Sequence, residues 1–208
     1  MAANGAWSAG TDGTVGIASK YRVELTGSTR MASLAAFNLK HWIDNNREKL
    51  RPPVGNVQLF KTVYKNFIVM VIGGPNERTD YHDDPGEELF FQVEGDMVLR
   101  IIENGKPVDV PIREGEILLL PPHVGHSPQR PAGSVGLVVE RIRLPGELDA
   151  FEWYCEACGR CHHRREFELA DIEKDLPPVF QEYYADVELR TCSACGHVNP
   201  GKPARRDD

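Results

Sequence analysis

The chain of 208 residues contains no apolar run approaching the twenty or so residues that a membrane-spanning helix requires. It also lacks a basic-then-apolar leader with a small-residue cleavage site, so the expected compartment is the cytoplasm. Positive charge is in short supply: 24 Lys and Arg stand against 31 Asp and Glu, a formal net charge of -7. That balance argues against nucleic acid or an anionic membrane as the main partner, while a few local arginines still suffice for a small anionic substrate. No cysteine precedes Cys155. The main body therefore has no disulfide framework, and in a reducing compartment the C-terminal cysteines read as metal ligands or redox groups.

An apolar content of 41% is enough for one real core with a small satellite. Residues 1–30 are rich in Gly, Ala, Ser and Thr without periodicity and read as a flexible extension or tag. Residues 31–150 read as the main domain and residues 151–208 as a C-terminal metal module and tail. Leu39, Trp42, Ile43 and Leu50 share one face of a helix expected over 37–50, stopped by Pro52-Pro53. Strand patterns follow over 57–62, 67–72, 88–93, 97–102, 108–112, 117–120 and 135–142, separated by turn pairs such as Gly73-Gly74, Pro85-Gly86 and Asn104-Gly105. Short strands with regular glycine turns predict a mainly β fold, an antiparallel sandwich or barrel. A further helix is expected over 178–185.

Two histidine-bearing segments, 78–88 and 121–126, stand out. His82, Glu88 and His126 offer two imidazoles and one carboxylate, a set that binds non-haem Fe(II) on one face and leaves the other positions open. His82 and Glu88 are six apart and fit two strands joined by a tight turn, pointing to the same side. His126 has to come from a distant strand, brought across by a barrel interior. The rival reading is a metal-free polar cluster. Asp80, Asp83 and Asp84 read as turn formers and outer hydrogen-bond acceptors, and His123 either as structural or as an outer partner of the metal ligands. Taken alone, Arg78 and Arg130 are ordinary surface ion-pair partners.

The C-terminal pairs Cys155-x-x-Cys158 and Cys192-x-x-Cys195, each followed by a glycine (Gly159, Gly196), fit a tetrahedral four-sulfur site for Fe or Zn. Cys161, His162 or His163 could replace a ligand, and a dithiol redox pair is the alternative. The preferred role is structural, pinning a tail whose helix is too short to persist alone.

Segments 74–95 and 115–126 resemble the two cupin motifs, with His82, Glu88 and Gly95 in the first and Gly115, Pro121 and His126 in the second. Asp84 stands where most cupins have a second histidine, and His123 where they have glycine. The flanks Pro52-Pro53-Val54-Gly55-Asn56, Gly73-Gly74-Pro75-Asn76, His126-Ser127-Pro128-Gln129-Arg130-Pro131 and Glu152-Trp153-Tyr154-Cys155 narrow this. Over residues 37–203 the chain resembles the 3-hydroxyanthranilate 3,4-dioxygenase family, in its bacterial form with a rubredoxin-like cysteine module.

That resemblance implies a cupin (double-stranded β-helix, jelly-roll) barrel with a short N-terminal helix and a small C-terminal metal-binding module. It implies Fe(II)-dependent cleavage of 3-hydroxyanthranilate by O2 to 2-amino-3-carboxymuconate semialdehyde, the precursor of quinolinate, in the kynurenine pathway of tryptophan catabolism or NAD biosynthesis. Iron would be held by His82, Glu88 and His126. Arg130, Glu140, Glu88 and Asn56 would contact substrate, and Arg78 would lie near O2. Cys155, Cys158, Cys192 and Cys195 would hold a second Fe or Zn, and the protein would be a homodimer. Two other readings stay open: a cupin enzyme acting on another small substrate with the same triad, and a non-catalytic cupin whose cysteine module docks a partner.

Overall fold

The computed structural model describes residues 36–52, 55–61, 66–76 and 78–201. The N-terminal extension expected over 1–30 lies outside them. The chain divides into two units, Met1–Asn46 and Arg47–Asp208. In the first, α1 (Leu39–Asn45) starts at Asn38, whose side chain accepts the His41 N–H at 2.9 Å. The helix expected to run to residue 50 stops early. Asn45 and Asn46 turn their amides back onto the His41 and Trp42 carbonyls at 2.7 and 2.8 Å, the competition with the backbone that makes Asn a poor helix interior.

The second unit begins with a 3-10 turn, Arg47–Leu50, followed by β1 (Asn56–Leu59), β2 (Phe67–Gly73), β3 (Asp80–Asp83), β4 (Glu88–Glu94), β5 (Met97–Glu103) and β6 (Lys106–Ile112). After these come β7 (Ile117–Leu120), β8 (His126–Gln129), β9 (Val135–Arg141), β10 (Asp149–Tyr154), β11 (Cys161–Phe167), α2 (Ile172–Ala185) and α3 (Val187–Arg190). The strands form two antiparallel sheets, one of order β1-β2-β9-β4-β7 and one of order β11-β10-β3-β8-β5-β6. This is the expected mainly β cupin architecture. Ile68, Met70, Phe90, Leu120 and Val138 from the first sheet meet Met97, Leu99 and Ile112 from the second to make the core.

All seven strands expected from apolar patterning are present, with ends shifted by a few residues. The four that patterning missed, β3, β8, β10 and β11, carry His, Asp, Glu, Cys or Arg where a half-buried strand normally alternates apolar residues. β10 runs through the expected boundary at 150 and pairs with β3 on one side and β11 on the other. α2 begins six residues before the expected start because Asp175 accepts the Ala170 and Asp171 N–H groups at 2.9 and 2.7 Å, and its early turns absorb Pro177 and Pro178.

A second cluster joins β10 to α2: Phe151, Trp153, Val179 and Tyr183 are all buried. The Trp153 and Tyr183 rings stack at 4.1 Å and 13°. Trp153→Ala should therefore cost about 3–5 kcal/mol, the usual penalty for emptying a large aromatic site. Chemical denaturation would read this as a lowered midpoint, and a midpoint equal to the parent's would contradict the packing.

Candidate metal centre and its surroundings

His82 on β3 pairs in register with His126 on β8, their ring centroids 5.2 Å apart. Glu88 opens β4 in the opposite sheet, with Leu120 and Glu140 as its cross-strand neighbours. The expected triad is assembled, but by a different route: the two histidines are in-sheet neighbours, and it is Glu88 that the barrel brings across. One candidate ligand atom from each of the three lies within 4.8 Å of the others, and all three residues are buried.

The tautomers follow from the outer partners. His126 Nδ1 lies 2.9 Å from the Val124 carbonyl, which only accepts, so Nδ1 carries the proton. Its Nε2 is 2.7 Å from Glu88 Oε2. His82 Nε2 is 2.8 Å from Asp149 Oδ1, again an acceptor, which leaves Nδ1 with the lone pair. Burial pushes the Glu88 carboxyl up, but the charge and hydrogen bond of His126, then His82 and Arg143, leave it below its ordinary value. For His126, burial pulls down and Glu88 more than offsets it, so its basicity is raised. Glu88 Oε2 is buried without a well-aligned hydrogen bond. An acidified carboxylate with an under-satisfied oxygen beside two imidazoles is a donor set suited to a divalent cation.

Behind this group lies a polar layer that the sequence patterns did not disclose. Arg143, just past β9, contacts Glu140 and Asp149 by hydrogen bonds and faces Asp84 across 2.8 Å. Burial and contact with Glu140 push the Asp84 carboxyl up to about 7. Burial and the nearby Glu88 charge also raise Glu140. Asp84 Oδ1 accepts the Gly86 N–H at 2.6 Å, so Asp84 both forms the turn and supports the site, as expected. His123 is exposed and 3.0 Å from Asp83, outside the site. No motif marks Arg143 or Asp149; only the fold brings them to the histidine, Asp149 by the pairing of β10 with β3 and Arg143 from the segment after β9.

Arg130 follows β8 and is buried. Its Nη1 donates to Gln92 Oε1 at 3.2 Å, its Nε has no partner, and among the described residues no carboxylate lies within ion-pair distance of it. Burial lowers it to about 10, with Glu88 opposing and Arg78 assisting. Gly136 makes room for it, since a Cβ there would stand 2.4 Å from Arg130 Nη1. By register Asn56, Ile72, Gly136 and Gln92 occupy one row of the inner face. Arg78 is pinned to Asp80, with Nε 3.1 Å from Oδ2, and its guanidinium lies 5.5 Å from the Phe151 ring centre.

The four cysteines form a separate cluster, with Sγ atoms of Cys155 and Cys195 3.6 Å apart and those of Cys158 and Cys192 3.7 Å apart. Each loop closes identically. Gly159 N–H donates to the Cys155 carbonyl and Gly196 N–H to that of Cys192, both at 2.8 Å, with φ of 73° and 75°. These left-handed angles explain the glycine after each pair. The Ala194 N–H is the first cause of a Cys192 thiol lowered to about 7. Cys161 is exposed and bonded to the His163 carbonyl, and His162 contacts the Tyr183 hydroxyl, so neither belongs to the cluster. Cys155→Ser should lower the thermal midpoint by several degrees while specific activity stays within about twofold, because a metal held by the four sulfurs would close a long loop. Loss of activity in a well-folded variant with a normal triad would contradict this.

The family described as 3-hydroxyanthranilic acid dioxygenase matches residues 31–184. A 3-hydroxyanthranilate 3,4-dioxygenase of Jannaschia sp. (strain CCS1) is 58% identical over 173 residues, which cover 83% of this chain and 95% of the relative. Its namesake in Ruegeria pomeroyi is 57% identical over 173 residues with the same coverage, and that of Shewanella woodyi 56% identical, with 90% of the relative covered.

Proposed function

The chain belongs to the 3-hydroxyanthranilic acid dioxygenase family, and on that premise we propose that His82, Glu88 and His126 hold the Fe(II) of a ring-cleaving enzyme. The reaction is the oxygen-dependent opening of 3-hydroxyanthranilate, an oxidoreductase activity; the product would be 2-amino-3-carboxymuconate semialdehyde, the precursor of quinolinate. The pathway is then that of kynurenine, leading to pyridine nucleotides or completing tryptophan catabolism. The observation that carries this reading is the buried pair of complementary groups: a three-ligand donor set and, on the same inner surface, a guanidinium with no carboxylate partner among the described residues.

Iron bound there would supply open positions for the substrate's neighbouring hydroxyl and amino groups and for O2. The remaining work falls to the chain. Glu88 and Gln92 are four residues apart on β4, about 13 Å along a strand, with Phe90 between them on the same buried face, so a substrate reaching from the triad to Arg130 would lie against Phe90. The planar fork of Arg130 suits a carboxylate, and burial strengthens the pair by excluding water. Glu140, held at raised basicity beside Glu88, is placed to take a proton from the substrate hydroxyl or amino group, and Glu88 is near enough to assist. Arg78 contributes positive charge on the O2 side, and Asn56 lines the same inner row as Gln92.

We read residues 31–150 as the catalytic domain and 151–208 as the metal module, carrying a second Fe or Zn. Four thiols held together without disulfides favour a reducing compartment, the cytoplasm; among the described residues no helix is long and apolar enough to cross a membrane. A homodimer is supported by the outer face of the first sheet, where Phe67, Ile117 and Leu119 are each about 60% exposed. Leu119→Lys should leave a monomer by sedimentation.

The deciding experiment is O2 uptake by Fe(II)-loaded, reduced protein on adding 3-hydroxyanthranilate, with quinolinate quantified at the end. Equimolar uptake and quinolinate support the reading. Absence of uptake, with iron confirmed at the triad, sinks it in favour of another substrate.

A further inference from the structure

One buried guanidinium is shared by three carboxylates. The Arg143 side chain is 4% exposed, and those of Asp84, Glu140 and Asp149 are 3%, 3% and 0%. Arg143 Nε lies 2.8 Å from Asp149 Oδ2, and Nη2 lies 2.5 Å from Asp149 Oδ1 and 2.8 Å from Asp84 Oδ2. Nη1 donates to Glu140 Oε2 at 2.6 Å and to the Arg141 carbonyl at 3.0 Å. The segment that carries the arginine is itself braced, because Glu147 accepts from Arg141 Nη2 at 2.6 Å and from the Leu144 N–H at 2.7 Å.

Burying one cation among three acids is a costly way to fill space, and an apolar residue would stabilise the fold as well or better. What the arrangement does provide is a rigid link. Asp149 receives His82 Nε2 at 2.8 Å, and Glu140 is the cross-strand neighbour of Glu88. The two arms of the fork therefore end behind a histidine and beside a carboxylate of the triad, on different strands. Only a planar, multi-donor group can hold both directions at once; a lysine ammonium is a point charge on a flexible stem.

We infer that Arg143 is a positioning residue that fixes the ring of His82 through Asp149 and the carboxylate of Glu140 directly, so that metal affinity and substrate grip are set together. Asp149 serves the metal arm alone. The substrate arm rests on the ring-cleaving reading above; the metal arm does not.

The test uses the full chain with its four-cysteine site filled with Zn(II), and the variants Arg143→Lys and Asp149→Asn. Co(II) is titrated into the triad without substrate and followed by its visible spectrum, and KM and kcat for 3-hydroxyanthranilate are measured on Fe(II)-loaded protein. Asp149→Asn should weaken Co(II) binding tenfold or more with KM near the parent's, since outer partners of histidine ligands are typically worth ten- to a hundredfold. Arg143→Lys should weaken Co(II) binding to a similar extent and also raise KM. A merely structural role would lower thermal midpoints and move neither constant. Parental Co(II) affinity in Asp149→Asn overturns the inference, as does a folded Arg143→Lys with both constants unchanged; should Arg143→Lys not fold, Asp149→Asn decides. If the parent protein binds Co(II) but does not turn over 3-hydroxyanthranilate, the functional reading falls while the Co(II) comparison still judges the metal arm.

Discussion

His126→Ala should lose the triad metal and ring cleavage together, while the metal of the four-cysteine cluster stays bound. Removing this ligand leaves His82 and Glu88 alone, and two donors do not fix a divalent cation against water. Outer partners of metal ligands are already worth ten- to a hundredfold in affinity, so loss of a ligand itself should exceed about a hundredfold. The substitution also strips Glu88 of the imidazole 2.7 Å away that keeps it ionised in a buried site. Some loss of stability should accompany the loss of function, since orphaning one member of a buried ion pair costs about 3–5 kcal/mol. Metal analysis should find the chain's metal reduced to the sulfur-bound ion, with O2 uptake at background. His82→Ala should behave alike. Normal turnover in either variant would remove the triad from the mechanism.

Arg130→Ala should raise KM for 3-hydroxyanthranilate far more than it lowers kcat. Removing one partner of a buried charge pair typically costs about 2–5 kcal/mol, a factor of roughly 30 to several thousand. The arginine can also be displaced without being removed. In Gly136→Ala the new Cβ would meet Arg130 Nη1 at 2.4 Å and Gln92 Oε1 at 3.0 Å, so the fork has to move and part of the same KM effect should appear. Uncharged 2-aminophenol, which has no carboxylate to hold, should be nearly indifferent to both substitutions. An unchanged KM for 3-hydroxyanthranilate in Arg130→Ala would place the clamp elsewhere.

Several of these groups were visible before any fold was known. His82, Glu88, His126 and the four cysteines lie in short segments whose residue types and spacing are dictated by ligand chemistry, so a metal-binding reading needs no tertiary information. The glycines at 159 and 196 were legible for the same local reason: each must take a left-handed angle directly after its cysteine pair. Strands β2, β4, β5, β6, β7 and β9 are legible as short runs rich in Val, Ile, Leu and Phe, even where, as at Glu88 and Gln92 of β4, the buried face is partly polar. β3 and β8, which carry the two histidines, did not. Their inward positions hold the histidines of the candidate metal centre in place of apolar side chains, which removes the periodicity that marks a strand.

The mainly β architecture, both candidate ligand sets and the presence of arginines able to meet an anion are legible in the chain alone, because apolar periodicity and donor chemistry are local properties. That the two histidines are neighbours, and that Glu88 faces them from the other sheet, follows from the packed fold. The fold alone also placed Arg130 against Gln92 over Gly136, and put Arg143 and Asp149 behind His82. Each of these contacts joins residues distant in the chain, on strands or just beyond their ends, and sheet register together with the packing of one sheet on the other is what aligns them.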